Sequence, residues 1–516
     1  MMAAQARTIN ERIEWALMLL GVLFCLSQLI IGFDKPILDQ YAFRQTQTAI
    51  STYWIMQGGA WLAYATPVLG SPWPIPLEFP LYQWIVAILA SHSHFLTLDQ
   101  AGRIVSEVFF LACLWPIWRI ASHLGKGRSL FRICGALLLF SPLYVFWSRS
   151  FMMESTALFF SLWFVAALID YLNAPGIFGP VETASSGALA ACIKITTFVG
   201  FSFAGALIVA YVIYRQRDRI RDPKQILVYA VAALATALPV VALLAWTHYS
   251  DVLKLQNPIA KLFTSSSAQD WVFGSLKERT SPGIWRVILL RAPNEAFGSW
   301  MPVAVVTALM LFRPDRKQIA IYFSLLALYT APFFVFTNLQ LIHHYYQYAN
   351  SIFLVFAIAY ALYCIAQTHP RFFVAAIACI VSIDAYGYSQ NFYADMMGTN
   401  REPQLLLASY VREHVPPEQT IVGFGLQWSS EVPYYGERRA LLIPDAVNGK
   451  TPDEATLEAI AADPLQHTGG QAIGAVIVCP NELAENIKLK KSYGRLLDAL
   501  TRNRSTDVVG DCLVYQ

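Results

Sequence analysis

Apolar runs of membrane-spanning length recur along almost the whole first three-quarters of this chain, and no other feature limits its fold as strongly. A bilayer-spanning helix needs about 20 predominantly apolar residues. Eleven candidate runs lie near residues 15–33, 101–122, 129–148, 153–172, 184–198, 199–214, 226–246, 297–312, 318–337, 349–367 and 372–389. Of the 516 residues, 56% are hydrophobic and only 14% are charged, against about 25% charged in an average soluble protein. The expectation is a mainly α, polytopic membrane helical bundle of about eleven spans. The net charge of +3 is too small to point to a nucleic-acid partner. The first run follows "MMAAQARTINERIE" without a small-residue cleavage site, so it reads as a retained first span.

Lysine and arginine in short loops set the orientation. "LGKGRSLFR" (124–132), "YRQRDRIRDPK" (214–224), "RPDRKQ" (313–318) and "THPR" (368–371) are placed in the cytoplasm. Alternation puts 34–100, the turns near Ser150 and Lys194–Phe198, the loop 247–296, the turn 338–348 and everything after about Tyr388 outside. "PLYQWIVAILASHSH" (80–94) is too short for a span, and counting it as one would break the charge rule. It reads as a helix lying in the interface, as does "FRQTQTAISTYWIMQGGAW", with Phe43, Ile50, Tyr53, Trp54 and Trp61 as a partial apolar stripe. Residues 1–389 are therefore expected to form a transmembrane module. Residues 390–516 are expected to form a small extracytoplasmic α/β domain, because helix-like and strand-like patterns alternate there. Cys479 and Cys512 fall in two of its strands, so a disulfide and two unpaired core thiols are both open readings.

This topology brings a set of polar residues to the outer level. They are Asp34, Lys35, Asp39, Arg44, Gln45 and Gln47 in the first loop, then Glu78 in "PLEFPLYQW", Arg149 and Glu154 in "WSRSFMMESTALFF", Lys194 in "ACIKITTF" and His343 to Tyr348 in "HHYYQY". Ionisable groups at membrane depth are costly and mark functional cavities. Each also has a plainer reading. Asp34 and Lys35 suit a solvated rim, Arg149 suits a snorkelling anchor, the tyrosines suit an aromatic belt, and Glu154 and Lys194 suit structural ion pairs. "HHYY" and "SHSH" lack zinc-ligand spacing, and no phosphate loop or dinucleotide fingerprint occurs. The reaction is therefore expected to draw on an energised substrate already in the membrane.

Taken in order, the acidic first outer loop leading into an interfacial helix, "EFPLYQW", "AGRIVS", "SRSFMMESTALFF", "CIKITTF" and the tyrosine-rich late turn resemble the C-type membrane glycosyltransferases. The pattern is similar in particular to the protein O-mannosyltransferase and aminoarabinose transferase group, over roughly residues 15–370. That resemblance implies transfer of a sugar from a polyprenyl phosphate carrier to an acceptor on the outer side. It matches the first-loop acid to Asp39, the second interfacial helix to Glu78 and Pro80, and the acid after an arginine to Glu154 and Arg149. The lysine of the family's "Lys-Gly" segment matches Lys194, here followed by Ile195, and the carrier-facing turn matches Tyr345 and Tyr346 with His343 and His344. Arg44 and Gln45 stand where many relatives carry adjacent Asp and Glu, and a branch with "Trp-Arg-Gln" motifs is nearer to "FRQTQTA".

The chemistry expected is inverting transfer to an acceptor hydroxyl of a glycan, lipid or protein, with a carboxylate as general base. Asp39 is the first candidate and Glu154 the second. Lys194, Arg44, Tyr345, Tyr346, His344 and, from "SLKERTS", Lys277 or Arg279 are candidates to hold the carrier phosphate. Gln45, Gln47, Glu78 and His343 are candidates to line the acceptor cavity. No cofactor is specified, and a divalent metal stays open. An oligosaccharide ligase of the same architecture and a lipid or glycan transporter are the alternatives. The expected site is the inner (cytoplasmic) membrane, with the active site on its outer side.

Overall fold

The computed structural model describes residues 2–124, 128–219, 221–398, 402–480 and 491–516. Residues 125–127 and 220, in two of the loops assigned to the cytoplasm, lie outside the described residues. Among the described residues, eight helices are long and apolar enough to cross a membrane: Asn10–Ile31, Leu98–Leu124, Glu154–Asn173, Ile195–Arg215, Pro223–Lys254, Arg316–Val335, His344–Thr368 and Pro370–Met397. The protein is a multi-pass membrane protein with a mainly helical body and a small C-terminal sheet.

Three of the eleven expected runs take a different form. The run 129–148 is two helices, Ser129–Phe140 and Pro142–Trp147, parted at Ser141. Pro142 sits at the first helical position of the second piece, and the residue before a proline is pushed out of the helical region; Ser141 accordingly has ψ 121. The run 297–312 yields only Met301–Leu311, because Gly298 (φ 62) closes the preceding helix in the left-handed conformation. The division expected near residue 198 falls at Lys194, between Phe178–Ile193 and Ile195–Arg215.

The chain divides into two compact units, one comprising residues 1–34, 103–244 and 272–397 and the other 35–102, 245–271 and 398–516. Inside the first, ion pairs join the helices. Arg132 donates to Glu14 at 2.7 Å, and Arg119 reaches both Asp170 (2.7 Å) and Glu182 (2.5 Å). A charge removed from water is retained only beside a counter-charge, and each pair links two or more helices. Gly387 lies against Gly298 so closely that a Cβ would sit 2.3 Å from the Gly298 Cα, the small-residue contact typical of membrane helices.

The second unit is organised by a five-stranded sheet of order β2-β1-β3-β5-β4, with β1 Thr420–Phe424, β2 Ala440–Ile443, β3 Ile473–Val478, β4 Thr506–Val509 and β5 Cys512–Tyr515. β1 is parallel to both β2 and β3, and the last two strands add as an antiparallel hairpin. The single final strand expected over "STDVVGDCLVYQ" is this hairpin, turned at Gly510 (φ 60). The free edge of β2 is covered by the first loop, since the amides of Ala440 and Leu442 donate to the carbonyls of Pro67 and Val68, at 2.9 Å each. That removes the exposed edge which otherwise invites mispairing.

Asn257 secures the loop. Wholly buried, it donates through Nδ2 to the carbonyls of Leu69, Gly70 and Pro72 and accepts through Oδ1 from the amides of Ile259 and Ala260. Replacing it with leucine keeps the bulk and strips all five contacts. Asn257→Leu should destabilise this unit by on the order of 3 kcal/mol, read as a lowered thermal midpoint of tail tryptophan fluorescence.

Cys479 and Cys512 form a disulfide with Cα atoms 4.3 Å apart, one residue beyond the Val478–Leu513 pair of the β3–β5 ladder. Alkylation of denatured, unreduced protein should therefore modify Cys25, Cys113, Cys134, Cys192, Cys364 and Cys379 and spare Cys479 and Cys512 until reductant is added.

Candidate active site

The site residues expected from sequence fall into two constellations, one in each unit. In the second unit the turn Asp39–Tyr41 enters the helix Ala42–Met56, with Tyr41 in the left-handed conformation (φ 53) and the Ala42 amide bonded to the Asp39 carbonyl at 3.1 Å. Gln45, on the first turn of that helix, donates from Nε2 to Asp39 Oδ1 at 2.5 Å and to the Gln40 carbonyl at 3.0 Å. The half-buried Asp39 carboxylate is thus held in one orientation by a neutral donor. Arg44 donates to Gln47 Oε1 through one nitrogen and pairs with Glu78 through another. Asp39 with Gln45, and Arg44 with Gln47 and Glu78, therefore form two short hydrogen-bonded runs about the first turns of one helix.

That helix is not a surface stripe. Gln45, Thr46, Gln47, Thr48, Ser51 and Thr52 are all buried. Thr46, Thr48, Ser51 and Thr52 return their hydroxyls to the carbonyl four residues back, at 2.8–3.2 Å, which satisfies them without an external partner. Of the expected apolar stripe, Ile50 is fully buried and Phe43 packs edge-on against Trp428 at 4.4 Å. Trp428 of the tail supplies aromatic cover that the local pattern does not show.

In the first unit Glu154 opens the helix Glu154–Asn173, where the helix dipole favours a carboxylate. Its Oε1 pairs with Lys194 Nζ, while Oε2 has no hydrogen-bond partner among the described residues. Lys194 stands in extended conformation (φ −160, ψ 96) between two helices, so its side chain leaves at a break in the helical surface. Nζ lies 4.9 Å from the ring centre of Tyr345 and 4.5 Å from that of Tyr346, and the two rings stack at 4.7 Å. Lys194 and Glu154 are both nearly fully buried. An ammonium against two aromatic faces and one carboxylate is a desolvated, strongly held cation.

His344 approaches Glu295 Oε1 at 3.4 Å, and Trp147 lies beside both His344 and Tyr345. Arg291 donates to the carbonyls of Gln340 and Leu341, and the amide of Gln347, with its nitrogen turned to Glu295 and its oxygen to Arg291, bridges the two. Glu295 and Arg291 were not among the expected site residues. Their four-residue spacing on Pro282–Phe297 is a helical ion-pair signature, but it is invisible once residues 247–296 are read as a loop. Arg149 is buried, with its guanidinium 4.6 Å over Phe146, and Glu107 faces it and Ser148, so Arg149 is not a snorkelling anchor. His343 lies 5.6 Å from Tyr345, ring to ring. Lys277 and Arg279 form an exposed one-turn helix capped by Ser275 and Glu278, and Arg279 is tied to the Phe273 carbonyl. Among the described residues, no three His, Cys, Asp or Glu side chains are placed to hold a metal ion.

No protein-family model matches the sequence, and no curated protein matches it. Solved structures do. ArnT from Cupriavidus metallidurans bound to undecaprenyl phosphate aligns over 96% of this chain and 97% of its own, with a TM-score of 0.62 at 12% identity. Arabinofuranosyltransferase AftD from Mycobacteria aligns over 98% of this chain and 40% of its own, with a TM-score of 0.55 at 13% identity. AglB, an oligosaccharyltransferase from Archaeoglobus fulgidus in complex with an inhibitory peptide and a dolichol-phosphate, aligns over 98% and 74%, with a TM-score of 0.50 at 10% identity. The chain has the fold of the C-type membrane glycosyltransferases.

Breaking a buried ion pair on one side strands the other charge and costs about 3–5 kcal/mol, whereas removing both charges costs far less. Lys194→Met and Glu154→Gln should each lower the unfolding midpoint of the purified protein, and the double variant should recover most of the loss. A double variant no more stable than the singles would show that the two groups are not each other's main partners.

Proposed function

We propose that this protein transfers a sugar from a polyprenyl-phosphate carrier to an acceptor hydroxyl, with inversion at the anomeric carbon. The observation that carries the reading is the buried Lys194, paired with Glu154 and roofed by Tyr345 and Tyr346, within a fold whose solved representatives include one bound to undecaprenyl phosphate and one in complex with a dolichol-phosphate. In the step proposed, the acceptor oxygen bonds to the anomeric carbon, the bond from that carbon to the phosphate oxygen breaks, and the carrier phosphate leaves with the electron pair. The acceptor proton passes to a carboxylate.

Asp39 is assigned that proton, because Gln45 orients its carboxyl group and leaves it only half covered. Glu154 serves Lys194 and is the second candidate. Lys194, with hydroxyls from Tyr345 and Tyr346 and the His344 imidazole, is assigned to the phosphate, where fixed donors stabilise the developing charge. Arg44 is engaged by Glu78 and Gln47, so its proposed part is to position them. Lys277 and Arg279 stay as secondary candidates on the exposed turn. The acceptor class, glycan, lipid or protein, belongs to the proposal, as does any divalent metal. The proposed setting is the inner (cytoplasmic) membrane with the sheet-bearing unit outside, which suits a chain whose tail carries a disulfide.

Asp39→Asn should cut transfer from a polyprenyl-phosphate-linked sugar by about 10²-fold or more while leaving binding of the free polyprenyl phosphate intact. Lys194→Met should raise the donor KM and weaken carrier binding. An Asp39→Asn enzyme with full turnover, or a Lys194→Met enzyme with unchanged donor kinetics, would overturn the respective assignment.

A further inference from the structure

Two adjacent arginines, Arg438 and Arg439, precede β2 in the second unit, and their side chains are used in opposite ways. Arg438 is buried and donates to the carbonyls of Arg412, Val415, Gly436 and Glu437. Arg439 is half-buried between two tryptophans, with its guanidinium carbon 4.6 Å from the ring centre of Trp54 and 5.5 Å from that of Trp73. Its backbone is fixed, since its carbonyl accepts from the Ile421 amide of β1 at 3.0 Å and the next amide, that of Ala440, donates to Pro67. Trp54 belongs to the helix Ala42–Met56 and Trp73 to the loop that covers the β2 edge. Three separate stretches of one unit therefore hold this side chain in place.

Among the described residues, no hydrogen bond or ion pair engages the Arg439 guanidinium. Its Nε is buried without a hydrogen-bond partner, as is the indole Nε1 of Trp54, while the two terminal nitrogens reach solvent. The nearest acid in sequence, Glu437, pairs with Arg412 at 3.0 Å. Burial accordingly lowers the Arg439 pKa from the ordinary arginine value, with no neighbouring carboxylate to raise it. Two aromatic faces hold a guanidinium flat, but arginine and tryptophan side chains supply donors only. The complement of such a wall is a group that only accepts, and an oxyanion meets the end of a guanidinium with two parallel bonds. A neutral hydroxyl gains less there, since charge-assisted bonds are roughly twice as strong as neutral ones. Approach is open beside Trp73, where the chain turns through the exposed Gly469 (φ 68) and Gly470 (φ 75), and a Cβ on Gly469 would stand 3.3 Å from Trp73 Nε1.

We propose that Arg439, held between Trp54 and Trp73, binds the carboxylate or phosphate of an acidic acceptor glycan, with the tryptophan rings packing on the sugar that carries it. The assignment to the acceptor rests on the transferase reading, and its basis is the helix itself. Trp54 stands nine residues after Gln45, which orients Asp39, and at 1.5 Å per residue that is about 14 Å along one axis. An acceptor that reaches both points is an oligosaccharide and not a single sugar. The tail of the chain then takes part in acceptor selection through Arg439, which touches neither the bond that forms nor the one that breaks.

The test is saturation-transfer difference NMR on the purified full chain in neutral detergent, without donor, using trigalacturonate and its fully methyl-esterified form. The acid should bind, and the ester should bind at least about tenfold more weakly, the loss of a charge-assisted bond. Arg439→Gln, which keeps a donor and removes the charge, should bring the acid down to the level of the ester, and Arg439→Lys should recover part of the loss. Equal binding of acid and ester, or unchanged binding in Arg439→Gln with an unfolding midpoint close to wild type, overturns the proposal and leaves Arg439 as a packing stack only. The comparison of acid with ester uses wild-type protein, so it decides even where a variant fails to fold. Inorganic phosphate and dihexanoyl phosphatidylglycerol serve as competitors. Displacement by either at the concentration of trigalacturonate itself would show an ion or headgroup site and overturn the assignment to a glycan. Binding is read without turnover. Arg439-dependent binding without sugar transfer would therefore leave the subsite standing and remove the transferase reading, and transfer without Arg439-dependent binding would do the reverse.

Discussion

A charge inside an apolar helical body must find its counter-charge, and much of the first unit is arranged around that requirement. Glu14 and Arg132 join the first helix to Ser129–Phe140, and Arg119 gathers Asp170 and Glu182 from two further helices. The pair Lys194–Glu154 obeys the same rule, yet it differs in its surroundings. One carboxylate oxygen has no hydrogen-bond partner among the described residues, and two aromatic rings lie against the ammonium. An arrangement meant only to hold helices together gains nothing from an unsatisfied oxygen in an apolar setting. The same geometry suits a cation kept desolvated for an anionic ligand.

The second unit solves a different problem. A helix rich in glutamine and threonine, Ala42–Met56, is buried in it, and its polar groups are satisfied in three ways. The hydroxyls bond to their own helix, Gln45 bonds to Asp39, and Arg44 bonds to Gln47 and Glu78. Among the described residues, Gln47 Nε2 and Trp54 Nε1 of this helix have no hydrogen-bond partner, and Gln47 lines a small recess at the end of β1. The loop that lines this recess is at once the edge cover of the sheet and the ligand of Asn257, so the stability of the tail and the shape of the recess are coupled through the same backbone.

Much of this was legible beforehand, for definable reasons. Hydrophobic length marks spans because a bilayer has a fixed thickness, and eight of the expected runs form helices long enough. Glu154 and Lys194 stood out because ionisable residues are rare in apolar runs. The strands and helices of the tail were visible in their periodicity. The break at Ser141 was not placed, since hydropathy averages over a window and passes through a one-residue interruption, whereas the turn expected over Lys194–Phe198 falls at its first residue. Arg291 and Glu295 were missed because a helix broken by proline and charge reads as a loop.

The sequence by itself determined the membrane class and the α/β character of the tail, both of which follow from local composition and period. Only the tertiary structure decided the partners. Lys194 meets an acid 40 residues away, Pro67 and Val68 meet a strand more than 370 positions later, and Trp428 closes a recess begun at Gln47. Such pairings depend on which surfaces remain unburied after the local elements have formed, and that is a property of the assembled chain. No window of sequence contains it.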